Sequence, residues 1–224
     1  MPSASKSSTT TSRTVTFNAS ANGGSCSTSS LNSTATITYS LSGWYTSSSG
    51  GTKRGTYGNS YTPSSSETLY AQWSSSTGSY SSISLPNASK SGYSFMGWYT
   101  SSSGSTTRGT YGNSYTPSSS ETLYARFSKT ISVTYNANGG SGAPSSQSTT
   151  VYDTVSSATF QISTTQPTRS GYEFVGWNTS QSAITGNYTA GSYYSLSSSI
   201  TLYAIWKKTV YLSYNANGGS GAPN

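Results

Sequence analysis

The residues that could do chemistry are few. The chain carries four carboxylates (Glu67, Glu121, Asp153 and Glu173), one thiol (Cys26) and no histidine. Without an imidazole, Ser–His and Cys–His nucleophilic catalysis lack their base. Zinc has no ligand set. Calcium needs clustered oxygen donors, usually with carboxylates among them, and these four are spread along the chain. Glycoside hydrolysis takes two carboxylates flanking one bond. Glu67 and Glu121 occupy the same place in two copies of one sequence, so they are not a pair across a cleft. Asp153 and Glu173 read as a turn residue and a strand-surface residue. Asn-Gly-Gly at Asn22, Asn138 and Asn217 lacks the Lys-Ser/Thr of a phosphate loop and reads as a turn. The residues therefore offer no catalytic, cofactor or metal site, and an enzyme is not expected.

Tyrosine is the remaining candidate, with 20 in the chain. Tyr57, Tyr61, Tyr111, Tyr115, Tyr193 and Tyr194 fall in or near stretches rich in Ser, Gly and Asn. That is also the composition of a binding paratope. Two readings stand side by side. The rings cover a core thin in aliphatics, or they contact a host-surface glycan or protein. Net charge is +7, yet only Lys53-Arg54 and Lys207-Lys208 are adjacent basic pairs. Nucleic-acid binding would need a clustered patch, so no nucleic-acid partner is expected. A single cysteine excludes an intrachain disulfide.

These side chains hang on a repeated frame. GWYT…ETLYAQW (Gly43 to Trp73) recurs as GWYT…ETLYARF (Gly97 to Phe127) and as GWNT…ITLYAIW (Gly176 to Trp206). Trp44, Trp98 and Trp177 each precede the Tyr of LYA (Tyr70, Tyr124, Tyr203) by 26 residues. Fixed spacing through drifting sequence is a packing constraint and marks a reused folded unit. The expected core is Trp44, Trp98 and Trp177 against Ala71, Ala125 and Ala204, closed by Trp73, Phe127 and Trp206. Residues 44–73 and 98–127 differ only at Gly51/Ser105, Lys53/Thr107, Gln72/Arg126 and Trp73/Phe127.

Period-two alternation of apolar residues predicts strands throughout and no amphipathic helix. TVTFN (Thr14–Asn18) places Val15 and Phe17 on one face, and STATITY (Ser33–Tyr39) places Ala35, Ile37 and Tyr39 on one face. Asn22-Gly23 reads as a tight hairpin turn. The partition that follows is a disordered Ser/Thr-rich arm (1–12), module one (13–73), a shortened module two (74–128) and a complete module three (129–207). Residues 208–224 start a fourth module, so the chain is expected to be part of a longer protein. Module two has no opening strand. Its open edge should be covered by residues 74–85 or by the closing strand of module one. Polar joints at 74–78, 128–130 and 207–208 predict small modules in an extended array.

The third module resembles the Listeria–Bacteroides repeat family, which includes the B-repeat of internalin-type surface proteins. The matching residues are VTYNANGGSGAP (Val133 to Pro144), PTRSGYEFVGW (Pro167 to Trp177) and ITLYAIW (Ile200 to Trp206). Modules one and two match through GWYT and ETLYA, and module two also through SGYSFMGW. The resemblance implies β-grasp-like modules without catalytic residues. It implies tandem arrays at the surface of bacteria, or in phage particles, serving as spacers, stalks or adhesive modules. No signal peptide is visible after Met1, and no apolar run is long enough to cross a bilayer. The expected location is extracellular or at the cell surface, with a virion as the alternative.

Overall fold

The computed structural model describes residues 1–221. The protein is mostly β, and its one helical element among the described residues is a 3-10 turn at Ser20–Asn22. The chain divides into two compact units, Met1–Phe127 and Ser128–Asn224.

The first unit contains β1 (Thr9–Asn18), β2 (Ser30–Tyr45), β3 (Lys53–Gly55), β4 (Tyr70–Thr77), β5 (Ile83–Ser84), β6 (Ser94–Tyr99), β7 (Thr107–Gly109) and β8 (Ser114–Tyr115). Strand β9 (Glu121–Asn136) begins in this unit and ends in the second. Alternation in TVTF buries Val15 and Phe17 and leaves Thr16 in solvent, as a half-buried strand requires. β1 pairs antiparallel with β2, from Thr9↔Ile37 to Thr16↔Ser30. On its other side it pairs parallel with β9, from Val15↔Glu121 to Asn18↔Tyr124. β6 also pairs with β9, so the sheet order is β2-β1-β9-β6. Val15, Phe17, Leu85, Trp98, Leu123 and Phe127 make the core.

This pairing corrects the expectation for the open edge of the shortened module. Its closing strand is covered by β1, the strand that precedes the first copy in sequence, and not by residues 74–85 or by β4. The physical reason is apolar: Val15 and Phe17 are buried in one core with Leu123 and Ala125. In sequence, the first copy lies between the two parts of this core. The far half of β2 and β4 form an antiparallel ribbon, from Ile37↔Thr77 to Tyr45↔Tyr70. The supposed joint Ser74–Thr77 is therefore strand, paired with Ile37–Ser40.

Residues 1–12 are likewise ordered. Thr9–Ser12 belong to β1, and Met1–Lys6 pack on the first copy. Their sequence MPSASKS echoes LPNASKS at Leu85–Ser91, and their contacts are the same. Gly58 N–H donates to Met1 O as Gly112 N–H donates to Leu85 O. Trp44 Nε1 donates to Pro2 O at 3.0 Å, and Trp98 Nε1 to Pro86 O at 2.7 Å. Lys6 Nζ lies 4.0 Å over the Tyr39 ring, and Lys90 Nζ 4.1 Å over Tyr93. No periodicity betrays such a segment, because its bonds come from single residues.

The second unit holds the end of β9 with β10 (Gln147–Tyr152), β11 (Ala158–Gln161), β12 (Glu173–Asn178), β13 (Tyr193–Leu196) and β14 (Ile200–Lys207). β10 pairs antiparallel with β9, from Tyr152↔Ser128 to Gln147↔Val133. The expected joint at 128–130 is thus part of a ladder. β14 runs parallel to β9, from Ile200↔Val133 to Tyr203↔Asn136, and β12 pairs antiparallel with β14. The order β10-β9-β14-β12 matches that of the first unit element for element. The core is Ile131, Val133, Ile162, Trp177, Leu202 and Ala204, with Tyr135 and Phe160.

Two glycine positions fix these cores. Gly97 and Gly176 precede the core tryptophans at φ 137° and 150°, a region that side chains rarely adopt. A Cβ on Gly97 would stand 2.6 Å from Gly109 O. The register slips at Gly176, a bulge that turns the following indole inward. Asn-Gly-Gly is not the tight hairpin turn expected. β1 ends at Asn18 and β2 starts at Ser30, and the loop between folds over the closing aromatic. A Cβ on Gly140 would stand 2.6 Å from Trp206, and one on Gly24 would clash with Phe127.

Beyond β14, Lys208–Gly221 form no strand. The last three residues of the expected fourth repeat lie outside the described residues. No helix among the described residues is long and apolar enough to cross a membrane, which says nothing of a β-barrel.

Candidate functional site

The loop tyrosines divide into three kinds. Tyr57, Tyr111 and Tyr193 stand about two-thirds exposed, at 69, 67 and 69%. Tyr61 and Tyr115 are tied down. Each donates its hydroxyl to a carboxylate, Glu67 and Glu121, whose other oxygen takes an arginine. Arg54 Nη2 lies 3.2 Å from Glu67 and Arg108 Nη2 3.3 Å from Glu121. Tyr194 accepts from Thr189 N–H, donates to Asn187 O, and packs tilted against Tyr188 at 4.8 Å. Three of the six rings therefore stand exposed, and three hold loops.

The Arg–Glu–Tyr sets explain what Glu67 and Glu121 do. Burial, with the Glu121 carboxylate beside it, pushes the Tyr115 phenol up to about 12. The hydrogen bond to Glu67 raises Tyr61 in the same sense. Glu121 ties Arg108 and Tyr115 to the closing strand β9, and Glu67 ties Arg54 to Tyr61 just ahead of β4. Asp153 is buried at a turn with φ 54°, and Glu173 is exposed on β12 opposite Lys207. No group of three or more His, Cys, Asp or Glu among the described residues could hold a metal ion. Half-buried Cys26 bonds through Sγ to Thr28 O and Asn87 O, both at 3.2 Å. It borders a shallow groove lined by Phe17, Ala19, Gly24 and Tyr124.

The expected core residues are placed unequally. Trp98, Ala125 and Phe127 are fully buried, as are Trp177 and Ala204, while Trp206 is half-buried. Trp44, Ala71 and Trp73 of the first copy are only half-buried. Sequence cannot separate them, since the two copies are nearly identical. The difference is a strand: β9 has β1 beside it, and β4 has no such partner among the described residues.

One pair of residues carries more than its motif suggested. Asn22 Nδ2 donates to Ala125 O at 2.9 Å and to Ser102 O at 3.0 Å. Asn138 Nδ2 donates to Ala204 O at 3.0 Å and to Gln181 O at 2.9 Å. The Asn of Asn-Gly-Gly is thus a bridge from the opening loop to the closing strand. Its signal was the Asn repeated in every copy of the loop, read only as a turn former.

The profile of the Listeria-Bacteroides repeat domain matches residues 14–72, 75–126 and 132–205. The chain is also 32% identical over 149 residues to a "Putative Gly-rich membrane protein" of Evansella cellulosilytica, covering 60% of this chain. The match spans 16% of that protein, well short of its whole length. No solved structure matches the chain.

Proposed function

The chain belongs to the Listeria-Bacteroides repeat domain family, and from that premise we propose that it is a non-enzymatic extracellular repeat protein of a bacterial surface. Its units are β-grasp-like spacers that carry or present other domains. The parallel pairing of each unit's opening and closing strands carries this reading. In the second unit, β9 and β14 are neighbours running the same way. A pull on the start of one and the end of the other slides them past each other. Inter-strand bonds run across the strands, so the pull loads several of them together instead of one at a time. That is the geometry a load-bearing stalk needs. The membrane-protein name of the relative supports a surface location.

Single-molecule pulling between residues 128 and 207 tests this. The expected trace is one cooperative rupture; gradual unravelling at low force overturns the spacer reading. A second reading, glycan or protein binding, is favoured by the exposed rings of Tyr57, Tyr111 and Tyr193. Glycan-panel binding that a Tyr57/Tyr111/Tyr193→Ala variant loses, with the fold intact, would replace the first reading by the second.

A further inference from the structure

The first unit places a cation where the second unit places core. Val15↔Glu121 and Val133↔Ile200 are the same step of the two parallel pairings, so Arg13 stands on β1 where Ile131 stands on β9. Ile131 is fully buried in its core. Arg13 is half-buried and lines a groove of about 510 Å³ with Thr77, Gly78, Ser79, Tyr80 and Thr116, a size in the small-ligand range. We propose that this groove binds a uronic acid of an acidic polysaccharide, with the Arg13 guanidinium holding its carboxylate.

The guanidinium is fixed from two sides. Its carbon lies 3.5 Å from the centroid of the Tyr80 ring, where the ring face attracts a cation. Nη1 donates to Pro117 O at 2.7 Å, and Pro117 is fully buried. Among the described residues, Nε and Nη2 have no protein acceptor. Nε–H and Nη2–H run parallel and match the two oxygens of a carboxylate. The carboxylates of the first unit are already engaged. Glu67 binds Arg54 and Tyr61, and Glu121 binds Arg108 and Tyr115.

The rest of the groove suits a sugar. Thr77, Ser79 and Thr116 are exposed, and their hydroxyls bond no protein group among the described residues. Such hydroxyls both donate and accept, as sugar hydroxyls do. No lining residue carries a negative charge. The first unit holds seven Lys or Arg against two Glu, which favours an acidic chain over a neutral or basic one. One guanidinium balances one charge, which a uronate carries and a phosphate monoester exceeds. The site uses none of the exposed Tyr57, Tyr111 and Tyr193, and it stands whether the chain is a spacer or an adhesive module.

Titration of the full chain with oligogalacturonate, followed by calorimetry and by the amide resonances of Thr77–Tyr80, tests the proposal. The expected result is saturable binding that perturbs those amides. The fully methyl-esterified oligomer, the same sugar chain without its charges, should bind about 10-fold more weakly or not at all. Arg13→Gln should weaken binding by about 10-fold or more. Arg13→Lys keeps the charge without the fork and should restore only part of the loss. Arg13 also anchors Pro117, so Ser79→Asp serves as a variant that leaves this contact in place. It sets a negative charge in the groove and should abolish binding without lowering the melting temperature of the first unit. No binding up to about 10 mM overturns the proposal. So do equal binding of the methyl ester and binding that survives both Arg13→Gln and Ser79→Asp. Displacement by equimolar inorganic phosphate would mark a phosphate site and overturn it as well.

Discussion

At the residue scale, the titratable groups serve structure. Tyr115 shows how. Its phenol donates to Glu121, and burial pushes its pKa up to about 12 from the ordinary 10.0. Below about 10 the phenol is protonated in folded and unfolded chains alike, and its contribution is intact. Between about 10 and about 12 the unfolded chain sheds the proton that the folded chain keeps. Stability must therefore fall as pH rises through that window. Denaturant midpoints of the first unit should decline from pH 10 upward, and less steeply in Tyr115→Phe. Equal slopes in the two proteins would show that the phenol does not couple to folding. That Glu67 and Glu121 occupy the same place in two copies was legible in the sequence. Their engagement by Tyr and Arg was not legible, since it needs the loop to fold back onto the strand.

At the element scale, the strands were legible and their partners were not. Alternation marks TVTF, STATITY and ITLYAIW as strands whatever they pair with. Which strand covers which edge depends on a chain path that skips the first copy, and no local pattern encodes it. β1 reads as the opening of the copy that follows it, yet it completes the next one. Phe17 states the difference, being 6% exposed with its ring 4.8 Å from Trp98. Phe17→Ala should cost about 3–5 kcal/mol. The indole N–H resonance of Trp98 should shift or broaden while that of Trp44 stays in place. The reverse pattern would return β1 to the first copy. The same reasoning explains Trp44: an almost identical sequence is half-buried there because the strand that buries it elsewhere is absent.

At the scale of the whole molecule, the repeat count and the number of cores differ. The sequence holds three matches to the repeat profile, and space holds two compact units, each with its own core. Proteins built from repeats keep stability nearly local to each unit, so the two units should respond separately to damage. Trp177 is the sharpest place to inflict it. It is fully buried, with Tyr135 at 4.9 Å and Phe174 at 5.2 Å, and its register partner Ala204 is small and buried. Ala204 is too small to fill an emptied indole site, so Trp177→Ala should cost about 3–5 kcal/mol. A unit of this size has on the order of 5–10 kcal/mol in total. Calorimetry should show two transitions in the parent protein. In Trp177→Ala the second unit's transition should drop sharply or vanish, while the first unit's stays at its temperature. A single transition in the parent, moving as a whole in the variant, would mean that the two cores fold as one.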